Sequence, residues 1–240
     1  MSEVVWIAGV GASAGLGAAL ARRFARGGFA VALTARNAGR LAELRKEIAD
    51  LGEVHGLAGD ISVPSQVDEI AARVAKLGTL KVAVFNAGNA VRGNLLELSP
   101  EAFEATWRGG TFAGFLFARE SVRLLLQSGG GSLLFTGATA SIRGRGPFTA
   151  FASAKAGLRS LAQSAAREYG PRNIHVAHVV IDGGIDGEQV RRNAPQFAAS
   201  AGADGLLSPD AIAETYWQLH QQSRSAWTHE LDLRPYKESF

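Results

Sequence analysis

Apolar and polar positions alternate along the chain in two patterns. Short runs rich in β-branched residues recur at Val4 to Ala8, Phe29 to Thr34, Val82 to Phe85, Ser132 to Thr136 and His175 to Ile181, and each reads as a buried strand. Between them lie segments whose apolar residues return at helical spacing: Leu16 to Arg26, Ala38 to Leu51, Ser65 to Leu77, Pro100 to Leu126, Thr149 to Tyr169 and Pro209 to Gln222. A weaker strand is expected at Val54 to Asp60, and a last one at Glu230 to Leu233.

Strands that alternate with helices predict a parallel sheet joined by right-handed crossovers. The expected fold is therefore α/β, a doubly wound and mostly parallel sheet of about seven strands with helices on both faces. No linker, repeat or low-complexity tract interrupts residues 1–240, so one domain is expected. The helix at 149–169 is rich in Ala, Ser and Gly, which suits either close packing on the sheet or approach of a second subunit.

Composition narrows the function classes. A 47% hydrophobic content and 29 glycines in 240 residues fit a globular core with many tight turns. The net charge is +3, but the basic residues are scattered rather than interleaved with aromatics, which argues against a nucleic-acid partner. With no cysteine, disulfides, thiolate nucleophiles and cysteine-held zinc are excluded. The apolar start at Val4 follows Glu3 rather than a basic segment, and no apolar run reaches the ~18 residues of a membrane span, so a cytoplasmic protein is expected. His175 and His178 fall on opposite faces of a strand, and His55, His220 and His229 have no partner nearby in sequence; no metal site is expected.

Candidate chemistry begins where the first strand ends, in Gly9-Val10-Gly11-Ala12-Ser13-Ala14-Gly15-Leu16-Gly17, followed by a helix. Glycines there let the backbone turn sharply and approach a pyrophosphate, with the positive end of the helix dipole facing the anion. The second strand ends in Thr34-Ala35-Arg36-Asn37, with Arg40 shortly after. A carboxylate at this place would accept the ribose 2′-hydroxyl of NAD, whereas a guanidinium suits a 2′-phosphate; NADP(H) is favoured over NAD(H).

Gly11-xxx-Gly15-x-Gly17, Asp60-Ile61 after the third strand, Asn86-Ala87-Gly88 after the fourth, and Ser153-Ala154-Lys155 on a later helix together resemble the short-chain dehydrogenase/reductase family, over nearly the whole chain. The resemblance implies a Rossmann fold and hydride transfer between a nicotinamide nucleotide and a small organic substrate. It implies cofactor contacts from Gly11, Ala12, Ser13, Ala14, Gly15, Leu16 and Gly17, from Arg36, from Asp60 and Ile61 flanking adenine, and from Asn86, Ala87 and Gly88 beneath it. Gly183, Ile185 and Lys155 complete that set, Lys155 as the ribose ligand. It also implies a homodimer or homotetramer through the helices at 100–126 and 149–169, and a substrate lid at 188–207.

The catalytic positions of the family are altered. The tyrosine expected four residues before Lys155 is Phe151, the serine thirteen residues before that is Ala138, and the asparagine of the preceding long helix is Gly110, with Thr111 beside it. Phenylalanine has no proton to give, and a positioned acid contributes about 10²–10⁴ in rate, so ordinary carbonyl reduction is expected to be severely impaired. Thr139, Ser141 and Ser153 offer hydroxyls, which more commonly bond to backbone. Asp182, where the family has proline before Gly183, is a turn residue or, in a closed apolar pocket, a protonated acid. Lys155 itself is a further candidate, although a ribose already accounts for it. Arg143 and Arg145, after the fifth strand, either lie in solvent or meet an anionic ligand. The expected function is an NADP(H)-dependent oxidoreductase of short-chain type, the alternative a non-catalytic NADP(H) sensor or assembly protein.

Overall fold

The computed structural model describes residues 2–88 and 90–238. Seven strands form one sheet: β1 (Glu3–Ala8), β2 (Ala30–Ala35), β3 (Val54–Ala58), β4 (Thr79–Phe85), β5 (Gly131–Thr136), β6 (Ile174–Ile181) and β7 (Glu230–Leu233). Their order is β3-β2-β1-β4-β5-β6-β7, with every pairing parallel. The central strands are buried on both faces, which is why their sequences are near-continuous apolar runs.

Helices cover both faces. On one side α1 (Leu16–Arg26), α2 (Ala38–Glu47) and α9 (Pro209–Gln221) pack on the sheet around Phe24, Leu33 and Tyr216. On the other, α3 (Pro64–Leu77), α5 (Ala113–Gln127) and α6 (Thr149–Tyr169) enclose Trp6, Phe85, Phe117 and Phe135. The strand order reverses between β1 and β4, and in doubly wound sheets the crevice at such a reversal, beyond the carboxyl ends of the strands, receives ligands.

Three expected elements differ in detail. The helix anticipated from Ala38 to Leu51 ends at Glu47 and continues as a 3₁₀ turn, Ala49–Leu51. The strand anticipated to reach Asp60 stops at Ala58, because Asp60 turns its carboxylate back onto the N–H of Ser62. The long helix from Pro100 divides into α4 (Pro100–Trp107), a π-helical turn (Arg108–Phe112) and α5. Two glycines lie in that turn, and Thr111 donates its hydroxyl across to the carbonyl of Ala154 on α6 at 2.7 Å.

The Ala/Gly character of α6 has a local use: a Cβ on Gly110 would lie 2.9 Å from that of Ala154, and one on Gly157 would lie 2.7 Å from the Thr111 hydroxyl. Between β6 and α9, the segment at 188–207 forms two short helices, α7 (Glu188–Asn193) and α8 (Pro195–Ser200).

Candidate functional site

The glycine loop is held to the end of β4 by contacts that tolerate no side chain. Gly9 has φ +87°, and a Cβ there would stand 2.4 Å from the Ala87 nitrogen. Gly17 would bring a Cβ to 2.9 Å from the Gly9 carbonyl, which accepts the Asn86 amide at 2.9 Å. Gly11 differs, since a side chain at this position would meet no atom within 4 Å. The start of α1, at Gly15, has no side-chain cap. Backbone that is close to neighbours on one side and open on the other, leading into an uncapped helix start, fits a pyrophosphate.

The end of β2 and the start of α2 carry Arg36 and Arg40, both exposed, with Asn37 capping α2 through the N–H of Arg40. Arg40 lies 3.9 Å from Glu188 of α7. Ser13 gives its hydroxyl to Glu47, which Arg22 pairs at 3.1 Å while also reaching the Ser13 carbonyl. Burial would raise the Asp60 pKa, but the hydroxyl and N–H of Ser62 and the Arg36 charge together hold it below the ordinary carboxylate value.

Lys155 is the central group. It sits on the second turn of α6, is 5% exposed, and donates to the Thr136 carbonyl at the end of β5 at 2.7 Å. Burial lowers its pKa to about 8. Gly88, at φ +155°, lets the loop after β4 pass over the ammonium; a Cβ there would be 3.2 Å from Nζ. The half-buried Phe151 ring lies one turn back on the same face, its centroid 5.8 Å from Nζ.

Positions 138 and 110 have equally specific surroundings. Ala138 opens the 3₁₀ turn Thr139–Ser141 and gives its N–H to the Ser141 hydroxyl at 3.1 Å. Gly110 is buried in the π-helical turn against Ala154. Ser153 is exposed and bonds back to the Thr149 carbonyl at 2.9 Å, so it points along its own helix.

Asp182 does not lie in an apolar pocket. It is buried, but its surroundings are polar: the Thr139 hydroxyl donates to one carboxylate oxygen, and Arg234 pairs with the other at 2.8 Å. One buried carboxylate thus joins the turn after β5 to the end of β7. Arg234 was not among the sequence candidates. It stands one residue past β7, whose Leu233 is in register with Ile181, and only that pairing brings positions 182 and 234 together. Gly183, at φ +150°, passes close to Pro235, and Ile185 bridges to Leu207 at the base of the 188–207 segment. Gly187 packs against the Ala14 carbonyl, so this segment reaches the glycine loop.

Residues 4–198 match the family model for short chain dehydrogenase. The chain belongs to the short-chain dehydrogenase/reductase family. A short-chain dehydrogenase from Rhodopseudomonas palustris is 40% identical, covering 98% of this chain and 99% of that one with a TM-score of 0.83. An uncharacterised oxidoreductase of Mycobacterium tuberculosis is 29% identical over 230 residues, 90% of each protein. An alcohol dehydrogenase from Thermococcus sibiricus, in complex with 5-hydroxy-NADP, is 26% identical with a TM-score of 0.83, covering 99% of this chain and 98% of its own. The chain carries the glycine loop, Asn86 and Lys155 together with Phe151, Ala138 and Gly110.

The remaining polar interior is structural. His178 is fully buried and bonds Glu230, which also takes Arg159 in a bidentate pair at 2.6 and 2.7 Å. Tyr216 shares a hydrogen bond with Thr136, and burial raises its phenol pKa far above the ordinary value. Among the described residues no group of three or more His, Cys, Asp or Glu could hold a metal ion, and no helix is long and apolar enough to cross a membrane.

Proposed function

We propose that the protein is an NADP(H)-dependent oxidoreductase of short-chain type that moves a hydride to or from a small organic substrate without the usual proton donor. The observation that carries this reading is Lys155, a buried ammonium beneath Gly88, on the carboxyl side of the sheet where the open face of Gly11 also lies. Burying a lysine costs stability unless its charge is used, and a ribose and pyrophosphate would use it. Arg36 and Arg40, with no acid at the end of β2, support a 2′-phosphate. The NADP analogue bound by the Thermococcus sibiricus enzyme is in keeping with this choice.

Gly11 to Gly17 would hold the pyrophosphate, Asp60 and Ile61 the adenine, Asn86 to Gly88 its underside, and Lys155, Gly183 and Ile185 the nicotinamide half. When bound, the nucleotide supplies or accepts the hydride. Phe151 has no proton to donate, so the chain selects substrates that need none from this position. An iminium carbon needs no proton, and an activated alkene can take one from water after hydride addition. Phe151 would exclude water from Lys155 and present an apolar wall, while Thr139, fixed by Asp182 and Arg234, would present its remaining lone pairs.

A second reading, a non-catalytic NADP(H) sensor or assembly protein, is favoured by the joint replacement at 110, 138 and 151. Quenching of NADPH fluorescence tests binding, and a panel of ketones, imines and activated alkenes tests turnover. Binding with turnover supports the oxidoreductase; binding without it supports the sensor; failure to bind either nicotinamide nucleotide overturns both. Replacing Arg36 and Arg40 with Gln should weaken NADPH and leave NADH unchanged.

The same reading includes a cytoplasmic homodimer or homotetramer. Phe103, Trp107 and Phe115 are exposed along α4 and α5, and Ser153, Ala156, Ser160 and Ser164 make a small-residue exposed stripe on α6. Both suit a helix face pressed against its own copy. A monomer by light scattering at micromolar concentration would remove the oligomer.

A further inference from the structure

The loop that follows the candidate catalytic turn is rich in arginine and returns to the site. It leaves where the Arg143 N–H bonds the Thr139 carbonyl at 3.1 Å, and it comes back where the Phe148 N–H bonds the Arg145 carbonyl at 2.8 Å. Phe148 precedes α6, so positions 148, 151 and 155 follow one another on the helix face that carries Phe151 and Lys155. The loop after β4 is pinned to the same place: Gly93 bridges Phe148 and donates to the Pro147 carbonyl at 2.9 Å. Arg92 lies with its guanidinium 5.2 Å from the centre of the Phe148 ring.

Two loops from different strands, joined at Gly93, Pro147 and Phe148, thus carry three exposed arginines, Arg92, Arg143 and Arg145. Among the described residues none of the three lies within ion-pair distance of a carboxylate, although other arginines of the chain are paired, including Arg40, Arg159 and Arg191. Glu97, on the same β4 loop, is taken by the Asn94 amide at 2.9 Å. Positive charge on adjoining loops without counter-charge attracts and orients an anion, and guanidinium forks match planar or tetrahedral oxyanions.

We propose that the substrate carries a carboxylate or phosphate distal to its reacting carbon, and that this group docks on Arg92, Arg143 and Arg145. This rests on the oxidoreductase reading of the neighbouring site and names its substrate class. The apolar Phe151 and Phe148 rings would line the space between the anion site and Lys155. A hydrophobic spacer ending in a charged group fits that sequence of surfaces.

The test uses methyl ketones ending in a carboxylate at two to six bonds from the carbonyl, their methyl esters, and a matched phosphate monoester with its parent alcohol. Binding to the intact protein, with and without NADPH, is followed by saturation-transfer NMR at two salt concentrations. At least one charged probe should bind about tenfold more tightly than its neutral partner, the scale of two or three screened ion pairs. The preference should shrink with salt. The R92Q/R143Q/R145Q variant should lose the preference while retaining the neutral probes and NADPH.

Equal binding of charged and neutral probes, or an unchanged preference in the triple variant, overturns the proposal. Carboxylate over phosphate, or the reverse, identifies which oxyanion the arginines take. A protein that discriminates charge but does not bind NADPH overturns the oxidoreductase reading, and with it the substrate class, and leaves only an anion site on the three arginines. A protein that binds NADPH without discriminating keeps the oxidoreductase reading and overturns the anion site. A melting curve matched to the parent shows that the triple variant is folded.

Discussion

The ammonium of Lys155 stands 5.8 Å from the centre of the Phe151 ring, on the face of α6 turned toward the carboxyl ends of the strands. A phenol at 151 would place its oxygen beyond that ring, beside a buried positive charge that favours phenolate. In the F151Y/A138S variant, carbonyl reduction by NADPH should rise by about 10²–10⁴ if the acid alone is missing. The phenol should titrate below its usual ~10, visible as tyrosinate absorbance. An unchanged rate alongside a lowered phenol pKa would show that the pocket, not the proton, has diverged.

Burial holds the Lys155 pKa near 8, depressed from 10.5. A lysine with a lowered folded-state pKa weakens the fold below that value, because the unfolded chain keeps its proton more easily, and this penalty fades as pH rises from about 8 toward 10.5. If Lys155 holds the nucleotide as proposed, cofactor affinity should move the other way and fall above pH 8, as its charge is lost. K155M should therefore melt higher at pH 7 and bind NADPH at least about tenfold more weakly. A K155M variant that melts lower and binds normally would contradict both halves of this account.

Placing asparagine at position 110 should not by itself supply a relay. The Cβ would come 2.9 Å from that of Ala154, so G110N is expected to cost about 1–3 kcal/mol through overpacking. G110N/A154G should recover most of that loss, because it removes the atom in the way. Chemical denaturation of the two variants measures both. A stable G110N with no help from A154G would mean that the π-helical turn yields more readily than its packing implies.

Burial lowers His178 and His220 to about 4, against the unfolded value of 6.5, and lowers His175 as well. Groups that stay neutral when folded and protonate when unfolded stabilise the protein above the unfolded pKa, and that contribution is lost as pH falls from about 6.5 toward 4. Each should withdraw up to about 1.4 kcal/mol per pH unit within that window. The melting temperature should fall between pH 7 and 5, before Glu230 begins to protonate. An H178Q/H220Q variant should show a flatter profile, whatever its absolute stability.

The order and type of the elements were legible because strands buried on both faces must be apolar runs and helices on a sheet must have one apolar stripe. The boundaries of α1, α6 and β7 coincide with those read from the chain. The π-helical turn at Arg108–Phe112 was not legible, because it depends on Thr111 finding the Ala154 carbonyl on another helix. The glycine loop and Lys155 were recognisable from local spacing. The partner of Asp182 was not, since Arg234 lies fifty-two residues away in sequence.

What the sequence determined by itself was the alternating pattern, the parallel sheet it requires, the loop that can approach a phosphate, and the absence of a phenol at 151. These follow from periodicity, glycine and side-chain chemistry, each carried by residues close along the chain. What the tertiary structure decided was every property that depends on neighbours distant in sequence. It buried Lys155 against Thr136 and made it a weaker base than an exposed lysine. It gave Asp182 a guanidinium partner, and it pinned Arg92 beside the Arg143 and Arg145 loop through Gly93 and Pro147. Charge, solvation and approach are set by packing, and packing is read only once the strands are in register.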